Sequence, residues 1–166
     1  MFEEFMGIPA HPLLVHAAVV FVPLLAALTI AYALVPFVRA HTRWVLGLLA
    51  LATPLAALLA KLSGDAFFKR LDEAGGISEG FYPRLERHQD LGTMTLYTSI
   101  ALAVLTLALV YFVAPRSAAP PAGGRGGSTR AVSVALQVLA IAAAGLSLYY
   151  VIRTGDSGAQ AVWEGR

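Results

Sequence analysis

The apolar residues of this chain fall in four long runs separated by short polar stretches. From Leu13 to Val38 there is no charged residue. At about 1.5 Å per residue that run crosses a hydrocarbon core of about 30 Å with length to spare. Pro12 suits a first helical turn, where its missing N–H costs nothing. The first helix is therefore expected over 12–38, with a kink at Pro23. A second is expected over 44–63, with Trp44 as an interface anchor and Gly64-Asp65 as its end. Asp65 to Ala74 reads as a short helix lying on the membrane, with Phe67, Phe68 and Leu71 on one side and Gly75-Gly76 as its stop. Pro83 opens a third helix over 83–114. A fourth runs over 131–152. Residues 116–130, rich in Pro, Gly, Ser and Ala, read as a flexible linker, and 153–166 as a tail. The pattern predicts an all-α fold: an integral membrane four-helix bundle, one domain over 1–166, with both termini on the same side. No internal repeat and no soluble domain is legible.

Composition sharpens this picture. The chain of 166 residues is 58% hydrophobic and 13% charged. Soluble domains run nearer half apolar and a quarter charged, so a bundle of this composition lacks the polar residues to cover itself in water. There is no cysteine, which excludes a disulfide, a thiolate metal site and covalently attached haem. The opening Met-Phe-Glu-Glu-Phe has no basic region, so the first helix is expected to be retained and not cleaved as a signal peptide. No nucleic-acid partner is expected. The bilayer is the expected surrounding, in a multi-pass protein of the cell membrane.

Charge bears on orientation. The first and third connections carry Arg39, Arg43, Arg116, Arg125 and Arg130 and no acid. The first span has no Lys or Arg before it and two just after it. Weighted by that first hairpin, these connections are cytoplasmic and the termini extracytoplasmic.

Topology then gathers the chemistry. His11 and His16 stand at the start of helix one, Asp65 at the end of helix two, His88 at the start of helix three and Asp156 after helix four. All five belong to one membrane face, and only His41 lies on the other. His88, Gly92, Thr95 and Ser99 form a small and polar stripe on helix three. Small residues on helices two and four favour close approach. Imidazole at this depth needs a partner, and neutral histidine is a ligand for metals and for haem iron. Two histidines on different helices would clamp a non-covalent haem b. The preferred ligands are His16 and His88, with His11 as substitute or second site. Asp65 and Asp156 would orient a ring N–H from behind or cap their helices. A Cu or Zn site from His11, His16, His88 and Asp65 is a competing reading. Each residue also has a plainer role: His11 as a helix-start residue, His88 as a solvated one, His41 as a loop histidine.

The stretch Pro9-Ala10-His11-Pro12-Leu13-Leu14-Val15-His16 resembles the opening motif of the membrane family called domain of unknown function 2231. That motif reads roughly His-Pro-x-x-Val-His followed by Phe-Pro. The resemblance implies four helices, a Gly/Asp end to helix two (Gly64-Asp65), a histidine opening helix three (His88) and a Gly-rich tail (Thr154 to Gly165). Ala17-Ala18 replaces the Phe-Pro. Gly155-Asp156-Ser157-Gly158-Ala159 stands where many members have Gly-His-x-Gly-Gly, so no tail ligand is implied here.

The functional expectation is a redox site at the extracytoplasmic face, passing electrons between a membrane donor such as a quinol and an outer partner. The competing class is a cofactor-free accessory or scaffold subunit of a larger membrane complex. No nucleotide-binding, serine-hydrolase or zinc-protease motif is present, and whether the protein is an enzyme stays open.

Overall fold

The computed structural model describes residues 4–5, 8–113 and 127–163. Two short antiparallel strands, β1 (Glu4–Phe5) and β2 (Ile8–Pro9), precede four long helices. These are α1 (Ala10–Leu34), α2 (Arg39–Glu73), α3 (Tyr82–Phe112) and α4 (Gly127–Trp163). All four are long and apolar enough to cross a membrane. They pack as a bundle in ring order, with α1 and α3 on one diagonal. The flexible linker expected over 116–130 lies mostly outside the described residues, and 127–130 already belong to α4.

The helix ends differ from those the apolar runs predict. α1 stops at Leu34 because Pro36 forces the residue before it away from helical geometry: Val35 is extended, with φ −117° and ψ 94°. One 3-10 turn, Pro36–Val38, then leads straight into α2. Arg39 to Arg43 is therefore the first turn of α2, not a loop. Arg39 is buried and reaches back to α1, donating from Nε to the Tyr32 carbonyl and from Nη2 to the Ala33 carbonyl, each at 2.8 Å. It thus satisfies carbonyls that a helix end leaves without partners.

α2 does not end at Gly64-Asp65. The stretch expected to lie on the membrane as a separate helix continues α2 to Glu73. The stop comes at Gly75, with φ 64°. Its N–H bonds the Asp72 carbonyl and the Gly76 N–H bonds the Leu71 carbonyl, the paired closure that a left-handed glycine permits. α4 likewise runs on through Gly155 to Gly158, into the stretch expected as a tail beyond the fourth helix.

The core is narrow and rich in alanine. Leu25, Ala26, Leu102, Ala103, Ala140 and Ala144 are among its buried members. Buried hydroxyls tie helices together: Thr29 Oγ1 lies 2.8 Å from Thr106 Oγ1, and Tyr32 donates to the Val113 carbonyl at 2.8 Å. Among the described residues every buried side-chain nitrogen and oxygen has a partner, as a bilayer setting demands.

Candidate functional site

Histidines from diagonal helices meet at one end of the bundle. His11 is the second residue of α1. Its Nδ1 lies 3.0 Å from the Ala60 carbonyl and 3.2 Å from Ser63 Oγ, both on α2. Ser63 already donates its own proton to the Ala60 carbonyl at 2.9 Å. Both neighbours of Nδ1 therefore accept, so Nδ1 must donate. In the neutral ring Nε2 then carries the lone pair.

His88, two turns into α3, is held the same way. Its Nδ1 lies 2.9 Å from Ser157 Oγ on α4, and Ser157 donates to the Thr154 carbonyl at 2.9 Å. The ring also has a backbone hydrogen bond with Thr154. Nε2 is again the nitrogen left with a lone pair. The two ring centroids are 6.2 Å apart at an interplanar angle of 79°.

Two glycines let the rings sit where they do. A Cβ on Gly64 would stand 2.9 Å from His11 Cε1, and one on Gly158 would stand 3.0 Å from His88 Cε1. Each ring occupies space that any side chain would contest. Gly64 is therefore a seat for a ring and not a helix stop.

Of the residues singled out from sequence, His11 and His88 are brought together and the others are not. His16 is exposed and bonds the Pro12 carbonyl of its own helix. Five residues turn a helix by about 500°, so His16 points about 140° away from His11. The pair is His11 with His88, not His16 with His88. Asp65 pairs with Lys61 at 2.5 Å and accepts from Gln89 at 3.5 Å. Orienting His11 falls instead to Ala60 and Ser63. Asp156 is exposed and accepts from Gln160. His41 is exposed in the first turn of α2, at the opposite end of that helix from Ser63. Sequence reading missed Ser63 and Ser157. Their signal was the repeated Ser-Gly pair, 63–64 and 157–158.

A family model for predicted membrane proteins, DUF2231, matches residues 7–166. The chain belongs to the DUF2231 family. No curated protein and no solved structure matches it. The match covers all four helices of this DUF2231 protein and both histidines of the pair.

The donor set can be tested against the groups it would hold. Among the described residues no three of His, Cys, Asp or Glu gather as metal ligands, so the Cu or Zn site from His11, His16, His88 and Asp65 is not assembled. A bare zinc ion asks for at least three protein ligands. Haem iron takes four bonds from the porphyrin and asks the protein for axial ligands only. Two imidazoles with Nδ1 engaged and Nε2 free fit that demand.

Proposed function

We propose that this DUF2231 protein binds haem b through His11 and His88 and carries electrons at the extracytoplasmic face of the cell membrane. The observation that supports it is the paired imidazoles, each held at Nδ1 by a serine that itself donates to a main-chain carbonyl. That hold keeps the ring from rotating and raises the basicity of Nε2. A bound haem would supply a one-electron couple. The residues around it do the positioning. Ser63 and Ser157 fix the two rings, and Gly64 and Gly158 let the helices close behind them. The apolar helices keep the site at the membrane boundary, within reach of a reduced lipid-soluble donor such as a quinol. The outward orientation rests on Arg39 and Arg43 following the first span, with no basic residue before it.

The test is an absorption spectrum of detergent-purified protein from haem-replete cells, air-oxidised and then reduced with dithionite. The expected result is a Soret band, with sharp α and β bands on reduction, that is lost in both His11→Ala and His88→Ala. A featureless spectrum from cells that load another b-type cytochrome would overturn the reading. It would point to the accessory-subunit class, which predicts co-purification with a larger complex.

A further inference from the structure

The two halves of the bundle correspond at a set of inward positions. His11 and His88 are 77 residues apart, and so are Thr29 and Thr106. The same spacing relates buried Val22, Leu25 and Ala26 of α1 to buried Ser99, Leu102 and Ala103 of α3. A second constant, 94 residues, relates α2 to α4. It takes Ala60, Ser63 and Gly64 to Thr154, Ser157 and Gly158, the three residues that hold each imidazole. It also takes Thr53 to Ser147, and these make equivalent bonds. Thr53 donates to the Phe21 carbonyl and Ser147 to the Thr98 carbonyl, and Phe21 and Thr98 again stand 77 apart.

Two contacts identify the symmetry. In a two-fold arrangement a residue on the axis meets its own equivalent. His11 meets His88, and Thr29 meets Thr106. Both pairs join α1 to α3, the diagonal helices, at two depths of the bundle. α1 and α3 run in the same direction, since both bring their first turns to the imidazole end. The axis therefore runs along the bundle and the membrane normal, as in parallel membrane repeats.

We infer that α1–α2 and α3–α4 are two copies of one helical hairpin, and that the imidazole pair is a ligand seat on their shared axis, built from two equivalent half-sites. Such a seat would present its two imidazoles equally to whatever it holds. The inference rests on the haem reading only for the identity of that ligand. The copies differ at the rim, where Lys61 and Asp65 are matched by Gly155 and Ala159. Around each imidazole, Nδ1 meets a serine hydroxyl that donates to the carbonyl three residues before it.

The experiment uses the full chain in detergent, 15N-labelled at histidine, with His16→Ala and His41→Ala removing the other two rings. Ring nitrogen shifts report the tautomer, and hemin is the titrant. Ser63→Ala and Ser157→Ala each perturb one ring and so assign the signals without removing a ligand. Both rings are expected as Nδ1–H tautomers. Both signals should be lost together at one hemin per chain, and Ser63→Ala and Ser157→Ala should weaken hemin binding to within about threefold of each other. Rings in opposite tautomers, or one signal bleached while the other persists, would overturn the symmetric seat even if hemin binds. Matched tautomers with no hemin uptake would support the paired half-sites and overturn the haem reading.

Discussion

His11 and His88 stand on diagonal helices with their ring centroids 6.2 Å apart at 79°. Metal–nitrogen bonds of about 2.0–2.1 Å place two imidazoles on opposite sides of one ion with ring centres about 6 Å apart. That spacing is what the haem proposal draws on, and the serine at each Nδ1 holds the rings at it.

That relationship separates the histidines. His16→Ala, Asp65→Asn and Asp156→Asn are expected to leave any haem spectrum unchanged, whereas His11→Ala and His88→Ala abolish it. None of the first three hydrogen-bonds to either ring, and Asp65 acts on His11 through its charge alone. Difference spectra of the five variants, each at matched protein concentration, check this. Loss of the bands in His16→Ala alone would move the site.

Glycines three residues apart on α4 should respond differently to alanine. A Cβ at Gly155 meets nothing within 4 Å, whereas one at Gly158 meets the His88 ring. Gly155→Ala should stabilise the protein by about 0.5–1 kcal/mol through helix propensity. Gly158→Ala should forfeit that gain, because the displaced ring loses its Ser157 bond at about 1 kcal/mol. Thermal unfolding in detergent reads the difference, and equal gains at both positions would contradict the seat.

The hydroxyl pair on the axis makes a non-additive prediction. Thr29→Val or Thr106→Val leaves one hydroxyl without its interhelical partner, at a cost of about 1 kcal/mol. The double variant should cost less than the sum, by a coupling of about 0.6 kcal/mol as is usual between membrane helices. A double-mutant cycle on unfolding free energy measures it. Strict additivity would mean the two hydroxyls do not depend on each other.

Arg39 should matter for stability and not for the site. Its guanidinium bonds two carbonyls that close α1, and charged hydrogen bonds contribute about 1.5–3 kcal/mol each when a partner is removed. Arg39→Met is expected to lower the unfolding free energy by about 2 kcal/mol or more. Arg39→Lys should recover only part, since an ammonium lacks the planar fork. Recovery in full by lysine would show that charge alone suffices there.

The expectations from sequence held where hydrophobicity decides and failed where packing does. Four spans are legible because a bilayer requires long apolar runs. The stop at Gly75 was legible because a left-handed glycine closes a helix wherever it sits. Gly64 looked like a stop of the same kind. It stays helical because His11 fills the space beside it, a fact held by a residue about fifty positions away. Asp65 makes its hydrogen bonds with Lys61, one turn along its own helix, and with Gln89, and reaches His11 only through its charge. The internal repeat was hidden for a related reason. Few positions are identical between the halves, and those that are lie scattered along each helix among residues free to vary. The offset between the halves also grows by 17 positions across the third connection, from 77 to 94, so no single period aligns both helices of each half.

The sequence by itself determined the number of spans and the gathering of three histidines at one face, because hydrophobic length and chain reversal dictate both, and its lack of cysteine excluded thiol chemistry. Which two histidines meet was decided by the tertiary structure alone. Rotation about each helix axis, set by close packing of alanines and hydroxyls along the bundle, turns His11 and His88 inward and leaves His16 outside.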